Sequence, residues 1–301
     1  MNLVPESSDY KQLFGVAYRM LGSAHDAEDA VQDAVVRWQA LGDGERASIR
    51  EPLAWMTTVV SRICLDQLGS ARARRESYAG IWLPEPVPGT IGPATVSGRP
   101  PDPADAVTLD ESVSVALMRA MESLTPGERV ALILHDVFGM PFAEIGDVVG
   151  RTPDACRQLA STARRHLRSA PRFQPEDEQR RQVVAAFTAA CATGDIDALT
   201  AVLAPEVVSR ADGGGMPGIA RVPVVGVERV ARYLLGIVGL SEARGLTLGA
   251  RFASVNNRTG VVISFDDQVA AVLDLAVADE RVHEIAIIMN PDKLGAWAEP
   301  V

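Results

Sequence analysis

In PFAEIGDVVGRTPDACRQLASTARRHLR, residues 141–168, apolar side chains return at helical spacing twice, with a glycine between the two runs. Pro141 opens a short amphipathic helix that Gly150 stops, and Thr152-Pro153-Asp154 caps a second helix running to about Arg168. Two short helices joined by a tight glycine-containing turn make a helix-turn-helix pattern. In the second helix Cys156, Leu159, Ala160, Ala163 and Leu167 form a core face, while Arg157, Ser161, Arg164, Arg165 and Arg168 line the opposite side, flanked by Gln158 and the capping Thr152. Guanidinium groups along one face of a helix fit a DNA major groove, where they reach guanine edges or phosphates. A basic amphipathic helix docked on an acidic partner is the blander alternative.

Upstream, Thr125-Pro126-Gly127-Glu128 is a capping box with proline at the first helical position, followed by an apolar helix from Arg129 to about Val137. Residues 84–103 hold seven prolines and three glycines, the composition of an extended linker. Before that linker the chain reads as a helical bundle. Gly22 suits a helix stop and Ser23 a helix cap. In the helix that follows, Ala27, Ala30, Val31, Ala34, Val35 and Trp38 form one continuous apolar stripe, with Asp26, Glu28, Asp29, Gln32 and Asp33 on another face. A helix over about 52–77 carries Trp55, Met56, Val59, Ile63 and Leu68 and ends among Arg72, Arg74 and Arg75; Arg62 lies on the same helix.

After a second break at Pro171–Pro175 the pattern changes. Helices are predicted over 177–193, from Gly194-Asp195 to about Leu203, and near 226–238. Strands are predicted over Thr247–Val255, Gly260–Phe265, Gln268–Ala276 and Val282–Met289. Helices followed by a strand meander describe an α+β domain with a curved sheet over helices. The fold class is therefore multidomain, two all-α parts and a carboxyl-terminal α+β part.

Composition narrows the function. Hydrophobic residues make up 47% and charged residues 23%, ordinary globular usage. The longest charge-free runs, 86–98 and 182–194, are too short to span a membrane, and acidic residues in the first ten positions argue against a secretory signal. Cys64, Cys156 and Cys191 form no CxxC pair, which fits a reduced cytoplasm; no metal spacing or nucleophile–base pair is visible. The net charge is −10, whereas a protein that grips nucleic acid unaided usually carries a basic surplus. The positive charge is local: residues 151–172 hold six arginines against Asp154, and residues 62–75 four against Asp66.

These motifs resemble a known family. The run DAEDAVQD (Asp26–Asp33) is similar to the polymerase-gripping part of region two in sigma-70 factors, and AWMTTVVSRICLDQLGSARARRESY (Ala54–Tyr78) to the −10-reading and melting helices of extracytoplasmic-function (ECF) sigma factors. Residues 141–168 resemble their region four, the −35 reader. WLPEP (Trp82, Leu83, Pro84, Glu85, Pro86), DGGG (Asp212, Gly213, Gly214, Gly215) and NPDKL (Asn290, Pro291, Asp292, Lys293, Leu294) match the subgroup with a carboxyl-terminal SnoaL-like domain. Met216 replaces that subgroup's usual lysine, and Gly69 interrupts the basic helix where many relatives have arginine.

The resemblance implies region two over 6–78, a linker over 79–110, region four over 111–171 and a SnoaL-like regulatory domain over 176–301. It implies core RNA polymerase and promoter DNA as partners, no cofactor, no membrane and a cytoplasmic place of work. Asp26, Glu28, Asp29, Gln32 and Asp33 would meet the polymerase. Arg62, Arg72, Arg74, Arg75, Thr152, Arg157, Gln158, Ser161, Arg164, Arg165 and Arg168 would meet DNA. WLPEP is expected to dock onto the last domain beside DGGG or NPDKL, although as isolated strings all three read equally as linker and turn chemistry. The last domain has room for a small-molecule ligand, and if it were an enzyme its candidate groups would be Asp212, Tyr233, Asp274 and His283. Two other classes stay open: a small-molecule enzyme or sensor with a regulatory DNA-binding module, and a repressor.

Overall fold

The computed structural model describes residues 7–76, 78–89, 114–167 and 177–297. Among these the chain forms two compact units, one of residues 7–76 and 117–167, the other of residues 78–89, 114–116 and 177–297. Residue 6, Ser77, residues 90–113, Arg168, the Pro171–Pro175 break and the last four residues, for which the sequence carries expectations, lie outside the described residues.

The first unit is helical. Helices α1 (Ser7–Leu21), α2 (Ala24–Ala40), α3 (Asp43–Ser48) and α4 (Pro52–Glu76) come first. Gly22 ends α1 at φ 72°, and the Ser23 hydroxyl accepts the Asp26 N–H at 3.2 Å to cap α2. Leu13, Val16, Ala17 and Met20 meet Ala27, Val31, Ala34 and Trp38, with Met56, Val60, Ile63 and Cys64 closing the bundle. Burying each such aliphatic side chain contributes about 1.5–3 kcal/mol. The half-buried Trp55 packs its ring against Trp38 in a T-shaped pair, ring centroids 5.3 Å apart. Helices α5 (Val115–Ala120), α6 (Pro126–Leu132), α7 (Phe142–Val149) and α8 (Pro153–Leu167) follow. The capping box is present, with the Glu128 carboxylate accepting the Thr125 N–H at 2.8 Å. Beyond α6 the backbone widens into a π-turn over Ile133–Val137.

Between α7 and α8, Gly150 sits in the left-handed region at φ 69°. Gly146 is set by contact: a Cβ there would lie 2.7 Å from the Arg151 carbonyl oxygen. Only a residue without a side chain lets the second helix leave the turn so close to the first.

The second unit is a six-stranded sheet with three helices, α9 (Asp177–Thr193), α10 (Ile196–Val202) and α11 (Val227–Ala243). Its strands are β1 (Leu203–Asp212), β2 (Val224–Val225), β3 (Leu248–Val255), β4 (Arg258–Phe265), β5 (Gln268–Ala278) and β6 (Arg281–Ile288), ordered β2-β1-β6-β5-β4-β3. All neighbours pair antiparallel except β1 and β6, which run parallel. The meander matches the sequence expectation because its turns are two-residue turns with φ positive at both positions: Asn256-Asn257, Asp266-Asp267 and Asp279-Glu280. Asn and Asp tolerate that conformation better than most residues. Strands β1 and β2 were not expected, and α11 continues five residues past the predicted end.

Strands β4, β5 and β6 of the meander have two apolar faces, whereas β3 is largely exposed. Val261, Leu273 and Ile287 stand in one row across β4, β5 and β6, packed with Val184, Phe187, Leu234 and Val230 of the helices. The next row, Val262, Val272 and Ile288, packs with Leu83, Val115, Leu294 and Trp297. A strand buried on both faces reads as a continuous apolar run, as Val269–Leu273 does.

Replacing Gly146 with alanine tests the turn geometry by sign. Helix propensity alone would stabilise by up to about 1 kcal/mol. The contact with the Arg151 carbonyl predicts a net loss of about 1–3 kcal/mol instead, read from the chemical-denaturation midpoint of the first unit.

Candidate functional site

Two exposed helix faces lie on the first unit. On α2 the residues Glu28, Asp29, Gln32 and Asp33 are exposed, and Asp26 is half-buried in the first turn. His25 lies 3.6 Å from Asp29. Val36 continues this face with 62% of its surface exposed, an unusual amount for a large aliphatic side chain beside four polar ones. The sequence reading passed over Val36; its i, i+4 spacing from Gln32 placed it on the acidic face rather than on the core stripe.

On α8 the exposed side chains include Arg157, Gln158, Ser161 and Arg165, with Thr152 at the entrance and His166 near the far end. The Thr152 hydroxyl accepts the Ala155 N–H at 3.3 Å, the helix-capping bond. Arg157 pairs at 2.5 Å with the exposed Asp154 and stands 5.3 Å from the Phe142 ring centroid. An exposed pair of this kind holds the side chain loosely, worth about 0.2–1 kcal/mol. Arg164 differs. Its Nε and Nη2 donate to both carboxylate oxygens of Asp136 at 2.7 and 2.5 Å, and Asp136 is 3% exposed. The helical-wheel reading put Arg164 on the DNA face; the structure makes it the counter-charge of a buried carboxylate. Arg62 donates to the Asp147 carbonyl at 2.8 Å, bonding α4 to α7. Arg72, Arg74 and Arg75 lie in the last turns of α4, where only the backbone is described.

In the second unit the three short motifs converge. Asp212, fully buried at the end of β1, accepts the Leu83 N–H at 2.9 Å, the Lys293 ammonium at 2.7 Å, the Gly214 N–H at 3.2 Å and the Tyr78 hydroxyl at 2.5 Å. Lys293 also donates to the Leu83 carbonyl and lies 4.4 Å from the Trp82 ring centroid. Asn290 donates to the Tyr78 oxygen at 2.9 Å and accepts the Asp292 N–H at 3.1 Å. Gly214 sits at φ 60°, where a Cβ would lie 2.7 Å from the Asn290 side chain; Gly213 and Gly215 flank it in the turn. Leu83 and Leu294 are buried in the outer-face cluster, Pro84 and Pro86 are buried beside it, and Glu85 is half-buried, while Pro291 and Asp292 stay exposed. Trp297 donates its indole N–H to the Pro86 carbonyl at 2.8 Å, and Val87 exchanges backbone and side-chain bonds with Asn256. Burial first, then the neighbouring Asp212 carboxylate, raises the Tyr78 phenol above its ordinary value of 10, which keeps it a donor.

A second buried ion pair holds the chain on the far side of residues 90–113. Asp274 accepts the Val115 N–H at 3.2 Å and pairs with Arg180 at 2.9 Å, both carboxylate and guanidinium being buried. Arg180 also donates to the Leu275 and Thr259 carbonyls. No sequence motif pointed to this clamp, because its donor is a main-chain amide.

The remaining feature is a cavity of about 90 Å³ between α9, α11 and the inner sheet face, lined by Phe187, Cys191, Leu234, Leu273 and Ile287 among others. Of the four catalytic candidates named from sequence, Asp212 and Asp274 are committed to the two clamps, and none of Asp212, Tyr233, Asp274 and His283 lines the cavity. Its only side-chain polar groups are the Thr188 hydroxyl, which donates to the Val184 carbonyl at 2.8 Å, and the Cys191 thiol, which burial pushes up to about 12. Among the described residues no cluster of three or more His, Cys, Asp or Glu could hold a metal ion, and no helix is long and apolar enough to cross a membrane.

Comparison with known proteins bears on these features. Residues 7–74 match the family model for sigma-70 region 2, and residues 114–167 the model for sigma-70 region 4. The chain is similar to the ECF RNA polymerase sigma factor SigJ of Mycobacterium tuberculosis, 39% identical over 293 residues that cover 94% of this chain and 90% of the relative. It is also similar to a probable ECF RNA polymerase sigma factor of the same organism, SigI, at 35% identity over 94% of this chain and 91% of the relative. The crystal structure of SigJ superposes with a TM-score of 0.71 at 34% identity, covering 96% of each chain.

The geometry separates structural from available arginines. Arg164→Ala strands the Asp136 carboxylate and lowers stability by about 3–5 kcal/mol, whereas Arg157→Ala stays within about 0.5 kcal/mol, both read from denaturation midpoints. Asp212→Ala likewise costs the second unit about 3–5 kcal/mol, because the Lys293 ammonium and the Leu83 N–H lose their shared acceptor. A midpoint unchanged by Asp212→Ala would show that the Asp212 carboxylate does not hold the linker and that its other contacts, such as Trp297 with Pro86 and Asn256 with Val87, suffice.

Proposed function

The chain belongs to the ECF RNA polymerase sigma factors, and from that membership we propose how its surfaces divide the work of promoter-directed transcription initiation. The exposed face of α2, with Asp26, Glu28, Asp29, Gln32, Asp33 and Val36, seats the protein on core RNA polymerase. Charge there steers the encounter and fixes register, and Val36 supplies apolar contact once the surfaces meet. The exposed face of α8, with Arg157, Gln158, Ser161 and Arg165, reads the −35 element in the major groove; Arg168 extends the same row in sequence. Arg72, Arg74 and Arg75 hold phosphates near the −10 element, and Arg62 joins them once its bond to Asp147 opens. Arg164 is left out of the reading face.

The observation that carries this reading is the pair of exposed, oppositely charged helix faces on a unit otherwise packed shut. An acidic face for the enzyme and basic faces for its template explain why a chain of net charge −10 reads DNA: the polymerase supplies most of the affinity, and the sigma arginines supply choice. A repressor needs no acidic face of this kind.

The carboxyl-terminal domain acts as a regulator in cis, not as an enzyme. It grips the chain just before and just after the segment that joins the two promoter-reading regions, at Leu83 through Asp212 and at Val115 through Asp274. Holding both ends limits the separations the two regions can take, and so limits engagement of promoter elements set a fixed distance apart. The apolar cavity, with no carboxylate or imidazole in its lining, suits a ligand pocket better than a catalytic one. As a partner of RNA polymerase the protein works in the cytoplasm.

Pull-down with purified core polymerase tests the first part. Asp29→Arg with Asp33→Arg lowers capture about tenfold or more, roughly 1.4 kcal/mol, without changing the fold; equal capture removes α2 as the seat. Arg165→Ala weakens promoter binding and reduces the slope of log affinity against log salt by about 1, if it neutralises one phosphate. In run-off transcription Lys293→Ala, which removes the ammonium bridging Asp212 and the Leu83 carbonyl and so weakens the clamp, changes promoter output relative to the parent chain; identical output would count against the cis restraint.

A further inference from the structure

The cavity and the linker share a sheet one layer thick. Val261, Leu273 and Ile287 form part of the cavity wall, and the residues next to them in sequence, Val262, Val272 and Ile288, form the row on which Leu83 and Val115 lie. The two polar clamps repeat this adjacency. Leu273 lines the cavity while Asp274 holds the Val115 N–H; Met289 lines the cavity while Asn290 holds Tyr78. The Met289 and Asn290 N–H groups also donate to the Asp212 carbonyl, at 2.7 and 2.9 Å. A displacement of the inner row cannot leave the outer row in place, because successive side chains of a strand point to opposite faces of one backbone.

We infer that the cavity binds a small, neutral, apolar molecule and that its filling loosens the grip of the sheet on both ends of the linker. The class follows from the lining. No charged side chain faces the space, the thiol of Cys191 stays neutral, and the Thr188 hydroxyl proton is engaged by a backbone carbonyl, so a charged or strongly polar ligand would lose its hydration with nothing to replace it. The direction follows from size. An apolar cavity of about 150 Å³ accommodates benzene, and the space here is about 90 Å³ with its mouth at Ala192, so a ring-sized ligand seated inside it fills the space and presses on both walls. Helices α9 and α11 lie on one side and the linker-bearing strands on the other. The inference deepens the reading of the carboxyl-terminal domain as a restraint in cis and rests on it.

The test uses the full chain with toluene as probe. Methyl NMR of Ile263 and Ile287 follows binding, and amide hydrogen exchange at Leu83, Val87 and Val115 follows the linker, with the Val31 and Val60 amides of the first unit as controls. Saturating toluene is expected to raise exchange at Leu83 and Val115 at least tenfold with the controls unchanged. Cys191→Phe, which fills the cavity, and Ala192→Phe at its exposed rim should each abolish the toluene response; the second variant serves if the first does not fold. Absence of toluene binding by the parent chain overturns the site, and binding without a change at Leu83 and Val115 overturns the coupling. A response that survives in a folded filled variant places the ligand elsewhere and overturns the site as well. Run-off transcription in the same samples separates the two levels: exchange that rises while promoter output stays constant supports the pocket and its coupling and refutes the restraint reading instead.

Discussion

One buried carboxylate ties together three parts of the chain far apart in sequence. Asp212 has no access to solvent, and its charge is tolerated because an ammonium, a phenol and two main-chain amides all point at it. Removing a carboxylate from water without such partners costs several kcal/mol, so the site is stable only when the segment carrying Tyr78 and Leu83 is in place. Docking of the linker is therefore not an addition to a finished domain. It completes the coordination of a charge that the domain has already buried, and the apolar contacts of Leu83 and Trp297 then cover the outer sheet face.

The same design appears a second time, at lower visibility. Asp274 and Arg180 form the buried pair, and the Val115 amide is the extra donor. With both sites filled, the sheet holds the chain on either side of the stretch between the two promoter-reading regions. Under the proposed restraint in cis, these two attachment points are where the carboxyl-terminal domain would act on that stretch.

Much of this was legible from sequence, and the failures have physical causes. Caps and stops were readable because Ser23, Thr125, Gly22 and Gly150 act within one helical turn of themselves. The meander was readable because paired Asn and Asp residues mark its turns. Strand β1 was missed because LAPEVVSRAD lacks a clean alternation and its parallel partner β6 lies some seventy residues away, beyond any local pattern. Arg164 fell on the polar side of the helical wheel, which cannot register that Asp136 is buried beneath it. Family likeness led to the expectation that WLPEP docks beside DGGG or NPDKL, and in the structure it meets both around Asp212, but the Val115 clamp and the cavity wall carry no motif. The first uses backbone, and the second uses mostly ordinary apolar residues from six elements.

Both clamps take a main-chain N–H from the connecting segment, that of Leu83 at one and that of Val115 at the other, and this shapes how the stretch between them can evolve. Leu83 and Val115 are held by their N–H groups and by burial in the outer-face cluster, neither of which constrains the residues between them, so the intervening stretch is free to drift in composition and length while its two attachment points persist. Divergence in that stretch between related proteins would then carry little information about whether the restraint has been kept. The conserved signal would lie instead in the acidic acceptors and in the avoidance of imino acids at the two gripped positions.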